Sequence, residues 1–194
     1  MNRWIIIVAA VLAIAGAAYF FGAGDNSANA EPLEVGAAAP DFEATGALAG
    51  KQFTFRLSDK LKQGPVVLYF FPKAFTEGCT IEANMFAEAT ADFEAAGATV
   101  IGMSGDGLDA LTKFSVEECR DKFAVARADD AVMDGYHVRM MPKLSVTDRT
   151  SYVIGQDGKI ALVHSARDPK GHVTLTLDKV QQLARAKTAA PPEG

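Results

Sequence analysis

The sequence predicts an α/β fold in which a mixed central sheet is covered by helices on both faces. Three observations predict it. PVVLYFF (Pro65–Phe71) is apolar at every position, as a strand buried on both sides must be. Strand-like and helix-like patterns then alternate along the chain. Near its end the turn Gln156-Asp157-Gly158 joins two strand-like runs, and Asp-Gly is a strong hairpin signal. With 194 residues, 49% of them hydrophobic, the chain can enclose one sizeable core.

Residues 1–30 stand apart. WIIIVAAVLAIAGAAYFFGAG follows Arg3 with no charged side chain before Asp25, and the small-residue site Ala28-Asn29-Ala30 comes after it. An export signal or a membrane anchor is expected, and the two stay open. A stretch of about 18 or more apolar residues can span a bilayer, whereas signal cores usually run about 7 to 15. Arg3 favours a cytoplasmic N-terminus, which puts the remainder in an exported, periplasmic setting where disulfides can form. From Gly22 to about Leu33 small and polar residues read as a linker, and the folded domain is expected over residues 31–186.

Its elements follow in order. GAAAPDFEATG (Gly36–Gly46) reads as irregular. Gln52–Leu57 alternates as a half-exposed strand, and Pro65–Phe71 is the central strand, stopped by Pro72. Thr80–Ala96 is predicted to be a helix with Ile81, Met85, Ala89 and Phe93 on its inner face, ended by Gly97. Ala98–Ser104 is the next buried strand and Leu108–Phe123 the next helix. A short strand begins near Ala124. Ser151–His164 is the hairpin, Val173–Ala186 a closing helix, and residues 187–194 a disordered tail.

Several function classes lose ground here. A net charge of −5 with scattered Lys and Arg offers no footprint for nucleic acid. His137, His164 and His172 lack ligand spacing to one another or to the cysteines, so no metal is expected. GMSGDG (Gly102–Gly107) lacks the Gly-Lys-Ser/Thr of a phosphate loop and reads as a plain turn; no cofactor is expected. Met140-Met141 reads as core packing, with the edge of a binding surface as the alternative.

The chemistry concentrates at Cys79, one of two cysteines. Two are too few for a disulfide scaffold. Cys79 falls where a helix begins after the central strand, at the sheet edge, where exposure is expected. Unpaired backbone N–H groups and the helix dipole favour a thiolate there. An ordinary cysteine is ionised to only ~3% at neutral pH, so full ionisation gains at most ~30-fold. Larger acceleration needs donors aimed at charge that develops during the reaction.

Pro72, Thr76 and Cys79 stand as P-x-x-x-T-x-x-C, Glu82 extends this to C-x-x-E, and RTSYVIGQDGKI lies far downstream. Over most of Val35–Ala186 this pattern resembles the peroxiredoxins. It is most like the bacterioferritin-comigratory-protein type, with the alkyl hydroperoxide reductase and thiol-specific antioxidant enzymes as wider relatives. The resemblance implies a thioredoxin-like fold and a thiol-dependent peroxidase acting on hydrogen peroxide or organic hydroperoxides. Its partners are the peroxide and a thiol reductant such as a thioredoxin-like protein; a membrane would enter only through the N-terminal segment.

Roles follow from the same resemblance. Cys79 would be the peroxidatic cysteine and pass through a sulfenic acid. Thr76 would hold peroxide and thiolate through its hydroxyl. Arg149 would supply a permanent cation, Pro72 would shield the pocket, and Glu82 would orient Arg149. Many relatives carry a resolving cysteine five residues after the first, where this chain has Asn84. That leaves Cys119, expected on the second helix, as the resolving candidate; a one-cysteine cycle relying on an outside thiol stays open. Thr76-Glu77-Gly78-Cys79 has the spacing of a C-x-x-C motif without its first cysteine, and the chain reads Val146-Thr147-Asp148-Arg149 where thioredoxin folds usually place a cis-proline just before a strand. Both changes point away from disulfide exchange. A non-enzymatic, membrane-tethered thioredoxin-like binding module and a thiol-disulfide oxidoreductase are the alternatives.

Overall fold

The computed structural model describes residues 31–189; the expected export or anchor segment lies outside them. Among these described residues there are seven strands and five helices. Strands β1 (Glu43–Leu48) and β2 (Lys51–Arg56) precede helix α1 (Leu57–Leu61), and β3 (Val66–Phe70) leads into α2 (Glu77–Ala95). Then come β4 (Thr99–Ser104), α3 (Leu108–Glu117), β5 (Ala124–Arg127), α4 (Asp130–Gly135), β6 (Thr150–Ile154), β7 (Ile160–Ser165) and α5 (Pro169–Ala189). The strands form one sheet in the order β2-β1-β5-β4-β3-β6-β7. The β3–β4 and β4–β5 pairs are parallel, and the remaining pairs are antiparallel. This is the mixed, thioredoxin-like sheet expected. No helix among the described residues is long and apolar enough to cross a membrane.

The central strand explains both cores. Successive side chains of β3 point to opposite faces, and every residue of it is buried. Val66, Leu68 and Phe70 meet α1, α4, Tyr136 and Tyr152 on one side. Val67, Tyr69 and Phe71 meet α2, α3 and α5 on the other. There Tyr69 stacks on Phe86 of α2, with ring centroids 4.4 Å apart, and Phe71 stacks on Phe114 of α3 at 5.3 Å. The first pair sets α2 against the sheet and the second sets α3 there.

Four readings need correction. Glu43–Leu48 is a strand, not irregular chain: it pairs with β2 through the turn Ala49-Gly50, both left-handed (φ 50° and 74°), as a tight hairpin turn demands. The inner face of α2 is Cys79, Glu82, Ala83, Phe86, Ala87, Thr90 and Phe93, while Ile81 is 45% exposed. A strict four-residue ladder drifts around a helix of 3.6 residues per turn, so the true stripe alternates steps of three and four. Helix α3 ends at Glu117, and Arg120 and Asp121 turn left-handed just beyond it (φ 53° and 59°). Cys119 therefore lies past the helix, not on it. Helix α5 begins four residues earlier than predicted and continues to Ala189, through the first residues assigned to the tail.

Phe86→Ala is expected to cost about 3–5 kcal/mol, because the ring is fully buried and stacked between Tyr69 and Phe93. Urea unfolding of the two proteins measures it.

Candidate active site

The site is assembled where β3 ends. Pro72 lacks an N–H and cannot extend the ladder, whose last bond on this side runs from Phe71 N–H to the Met103 carbonyl, 3.0 Å. Two side chains from neighbouring strand ends then seize the loop. The Thr147 hydroxyl donates to the Phe71 carbonyl, 2.8 Å, and the Asp106 carboxylate accepts from Ala74 N–H, 2.6 Å. Just past them Phe75 is left-handed (φ 64°), a costly backbone for an aromatic residue, with its ring edge-on to Phe114 at 5.2 Å. This loop delivers the chain to α2 at a fixed place.

Thr76 is the residue preceding α2, but its hydroxyl donates to the Lys73 carbonyl, 2.9 Å, and caps none of the first-turn N–H groups. Cys79 is the third residue of the helix. It is 1% exposed, contrary to the exposed position expected. Its walls include Ala74, Ala83 and other members of the apolar cluster, but one wall is charged: Arg149 Nη2 donates to Sγ at 3.4 Å. The other end of the guanidinium, Nη1, pairs with Glu82 Oε2. Glu82 stands one turn after Cys79 and is fully buried. Arg149 thus pairs with Glu82, and not with its chain neighbour Asp148.

The sequence thereby places four of five site residues in one loop and helix turn, and the structure brings the fifth to them across the sheet. Pro72 lies half-buried at the loop's start. Cys119 is also buried in the apolar cluster that contains Cys79, and both thiols are free. Burial pushes the Cys119 thiol well up, helped by the negative charges of Glu118 and Asp121.

Four participants were not picked out from the sequence as part of this site. Gly78 is one: a Cβ there would stand 3.1 Å from Arg149 Nη2, so glycine lets the guanidinium lie across the first turn of α2. Asp106, within the run read as a plain turn, clamps Ala74. Tyr69 carries a fully buried hydroxyl without a hydrogen-bond partner; burial raises its pKa, with further upward pushes from Cys119, Glu82 and Cys79. His172, set aside for lack of ligand spacing, is buried behind Glu82 and stacks edge-on against His164, ring centroids 4.6 Å apart. Their eight-residue separation carried no signal because the hairpin and α5, not the local chain, bring them together. Met140 and Met141 are exposed instead of packed in the core.

Burial pushes the Glu82 carboxyl up, to about 8, against the pull of Arg149. From its ordinary value of 4.5 up to about 8 the folded state thus holds the extra proton. Stability supplied by that proton is lost as pH rises through this window. Wild type is therefore expected to lose stability relative to Glu82→Gln between pH 5 and pH 8, by up to a few kcal/mol, in urea unfolding at the two pH values. Gly78→Ala is expected to displace the guanidinium by a few tenths of an ångström and slow oxidation of Cys79 by peroxide about tenfold, read in single turnover.

Residues 35–163 match the AhpC/TSA family. The chain is 32% identical over 153 residues to the peroxiredoxin bcp of Coxiella burnetii, covering 76% of this chain and 99% of that protein. It is 31% identical over 157 residues to the peroxiredoxin bcp of Helicobacter pylori, covering 77% and 99%. Among solved structures, peroxidoxin BcpB of Mycobacterium tuberculosis superposes with a TM-score of 0.71 at 30% identity, covering 78% of this chain and 98% of that one. A buried cysteine facing a guanidinium at the first turn of a helix, in a thioredoxin-like sheet, agrees with these likenesses: the chain belongs to the AhpC/TSA family, the peroxiredoxins, and is a thiol-dependent peroxidase.

Proposed function

We propose that Cys79 is the sulfur that reduces the peroxide and that Arg149 and Glu82 prepare it. The observation that carries this is the guanidinium held between Cys79 Sγ and Glu82. As a thiolate, the sulfur attacks one peroxide oxygen. An S–O bond forms, the O–O bond breaks, and its electron pair goes to the departing oxygen, which takes a proton and leaves as water or an alcohol. Sulfur loses two electrons and becomes a sulfenic acid. Arg149 carries a charge that cannot be titrated away, already beside the sulfur and within reach of negative charge growing on the leaving oxygen. Pro72 walls the entrance with no N–H to compete. The Thr76 hydroxyl gives its proton to Lys73 at rest, so its lone pairs are what it offers an incoming hydroperoxide.

Cys119 resolves the sulfenic acid in this proposal. Its thiolate attacks the Cys79 sulfur, hydroxide leaves and is protonated to water, and a disulfide remains for an external thiol reductant. Both sulfurs sit in one buried cluster. A disulfide needs Cα atoms within about 4.4–6.8 Å, and the buried Cys119 thiol ionises poorly where it rests. The start of α2 and the segment around Cys119 therefore unwind together. Two left-handed residues directly after Cys119 make that segment costly to keep folded, which favours its opening.

The uncharged run between Arg3 and Asp25 supports export to the periplasm, with residues 1–30 either removed near Ala30 or kept as an anchor. An oxidising compartment suits a cycle that passes through a disulfide.

One equivalent of hydrogen peroxide is expected to join Cys79 to Cys119 in wild type, seen by mass spectrometry as loss of two hydrogens. Cys119→Ser should trap a sulfenic acid on Cys79, and Cys79→Ser should consume no peroxide. Undiminished turnover in Cys79→Ser would remove the proposal, and an unlinked sulfenic acid in wild type would assign the resolving thiol to the reductant.

A further inference from the structure

We propose that His172 is a positioning residue for peroxide reduction: acting through Glu82, it holds the Arg149 guanidinium against the Cys79 sulfur. The inference rests on the assignment of Cys79 and Arg149 given above.

Glu82 is fully buried, yet only one of its carboxylate oxygens has a donor. Oε2 receives Arg149, while Oε1 has no hydrogen-bond partner, an arrangement that costs desolvation energy. What faces Oε1 is His172 Nδ1, 3.8 Å away. The ring itself is firmly assigned. Nε2 lies 2.9 Å from the Ala166 carbonyl, which can only accept, so Nε2 carries the proton. Nδ1 lies 2.8 Å from Ser151 Oγ and, in a neutral ring, accepts that hydroxyl's proton. Burial pushes His172 down to about 4, with His164 and Arg149 also disfavouring the charge, so the ring is neutral across the neutral pH range. The Nδ1 lone pair is taken by the Ser151 hydroxyl, so the neutral ring meets Glu82 Oε1 at 3.8 Å as a packing contact that brings no donor. It offers no rival to the guanidinium, and the Glu82 carboxyl group is left to Arg149 alone.

His172 also reaches Arg149 by a second route. Ala166, which accepts from the imidazole, donates its own N–H to the Arg149 carbonyl, 3.3 Å. Side chain and main chain of Arg149 are therefore linked in a ring of guanidinium, Glu82, His172, Ala166 and the Arg149 backbone, in which the Glu82–His172 step is a 3.8 Å packing contact and the others are polar bonds. His172 is the member that closes it, brought in by α5 from beyond the hairpin. Ser151, on β6 and opposite Tyr69 of β3, locks the imidazole by its hydroxyl. Without the ring closure the guanidinium keeps its charge but loses its fixed direction, and misdirection is what reduces rate in a preorganised site.

The test is a double-mutant cycle on the full chain, reading the second-order rate constant for oxidation of Cys79 by hydrogen peroxide. His172→Gln is expected to slow this step about tenfold, because the glutamine amide offers Glu82 Oε1 the rival donor that the imidazole withholds and so loosens the aim of Arg149. Ser151→Ala, which leaves the imidazole in place, should act in the same direction and more weakly. In a Glu82→Gln background either substitution should change the rate by less than about twofold. A merely structural role would reduce the rate equally in both backgrounds, and that result would overturn the proposal, as would an unslowed, folded His172→Gln. Should His172→Gln not fold, the Ser151→Ala arm completes the cycle by the same criteria. A wild type that fails to react with peroxide overturns the assignment of Cys79 and this inference together, whereas a reactive wild type with equal losses overturns this inference alone.

Discussion

One buried guanidinium organises this molecule. Arg149 has only 11% of its side chain exposed, and a charge so enclosed must be paired. Its carboxylate is on the same helix face as the cysteine, three residues on, so the pairing that lets Arg149 be buried also aims its second nitrogen at the sulfur. Removing Glu82 would leave the guanidinium stranded. That constraint makes the sheet part of the site, because Arg149 directly precedes β6 while Cys79 follows β3, and the antiparallel pairing of β6 with β3, ending in Phe70 opposite Thr150, holds them at one rim.

The surroundings bear the cost of this geometry. Phe75 is held left-handed, Tyr69 keeps a hydroxyl with no partner, and Glu82 keeps an unpaired oxygen. Each departs from what stability alone would select, and they gather within one region. Such clustering is what a preorganised site produces when its groups serve a reacting molecule and not the resting fold. The compensation lies in the packing beneath: Tyr69, Phe71, Phe86, Phe93 and Phe114 form a connected aromatic layer under the loop and the first turns of α2.

What was legible in the sequence follows from which interactions are local. The central strand and the Asp157-Gly158 turn are written in neighbouring residues, and each appears as read; the Pro72–Glu82 motif is equally local, but Cys79 within it is buried where exposure was expected. Strand β1 was not legible because Ala, Thr and Gly carry no alternation; it is a strand by virtue of its partners β2 and β5. Helices α1 and α4, of five and six residues, are too short to show a period. The pairing of Arg149 with Glu82 was reachable only through family resemblance, since 67 residues separate them. Gly78, Asp106 and His172 act across the fold, and nothing in their local sequence announces it. The burial of Cys79 was misjudged for a related reason: a helix start at a sheet edge is usually open, and here the Arg149 guanidinium lies against the sulfur within a packed apolar cluster.

That burial bears on the second half of the cycle. Asn84, at the position where many relatives keep their resolving thiol, donates to the Thr80 carbonyl at 2.8 Å and to Glu118 Oε2 at 3.2 Å. It thus ties the first turns of α2 to the residue beside Cys119, so the two cysteine-bearing segments are coupled while both thiols are reduced. Movement of one pulls on the other. In the proposed cycle, oxygen added to the buried Cys79 sulfur, against the Arg149 guanidinium, would crowd the first turn of α2, and Asn84 would carry that strain toward the left-handed residues after Cys119. Under that proposal oxidation itself would supply the bias toward the unwound state in which the two sulfurs meet, and the packed state would return on reduction of the disulfide.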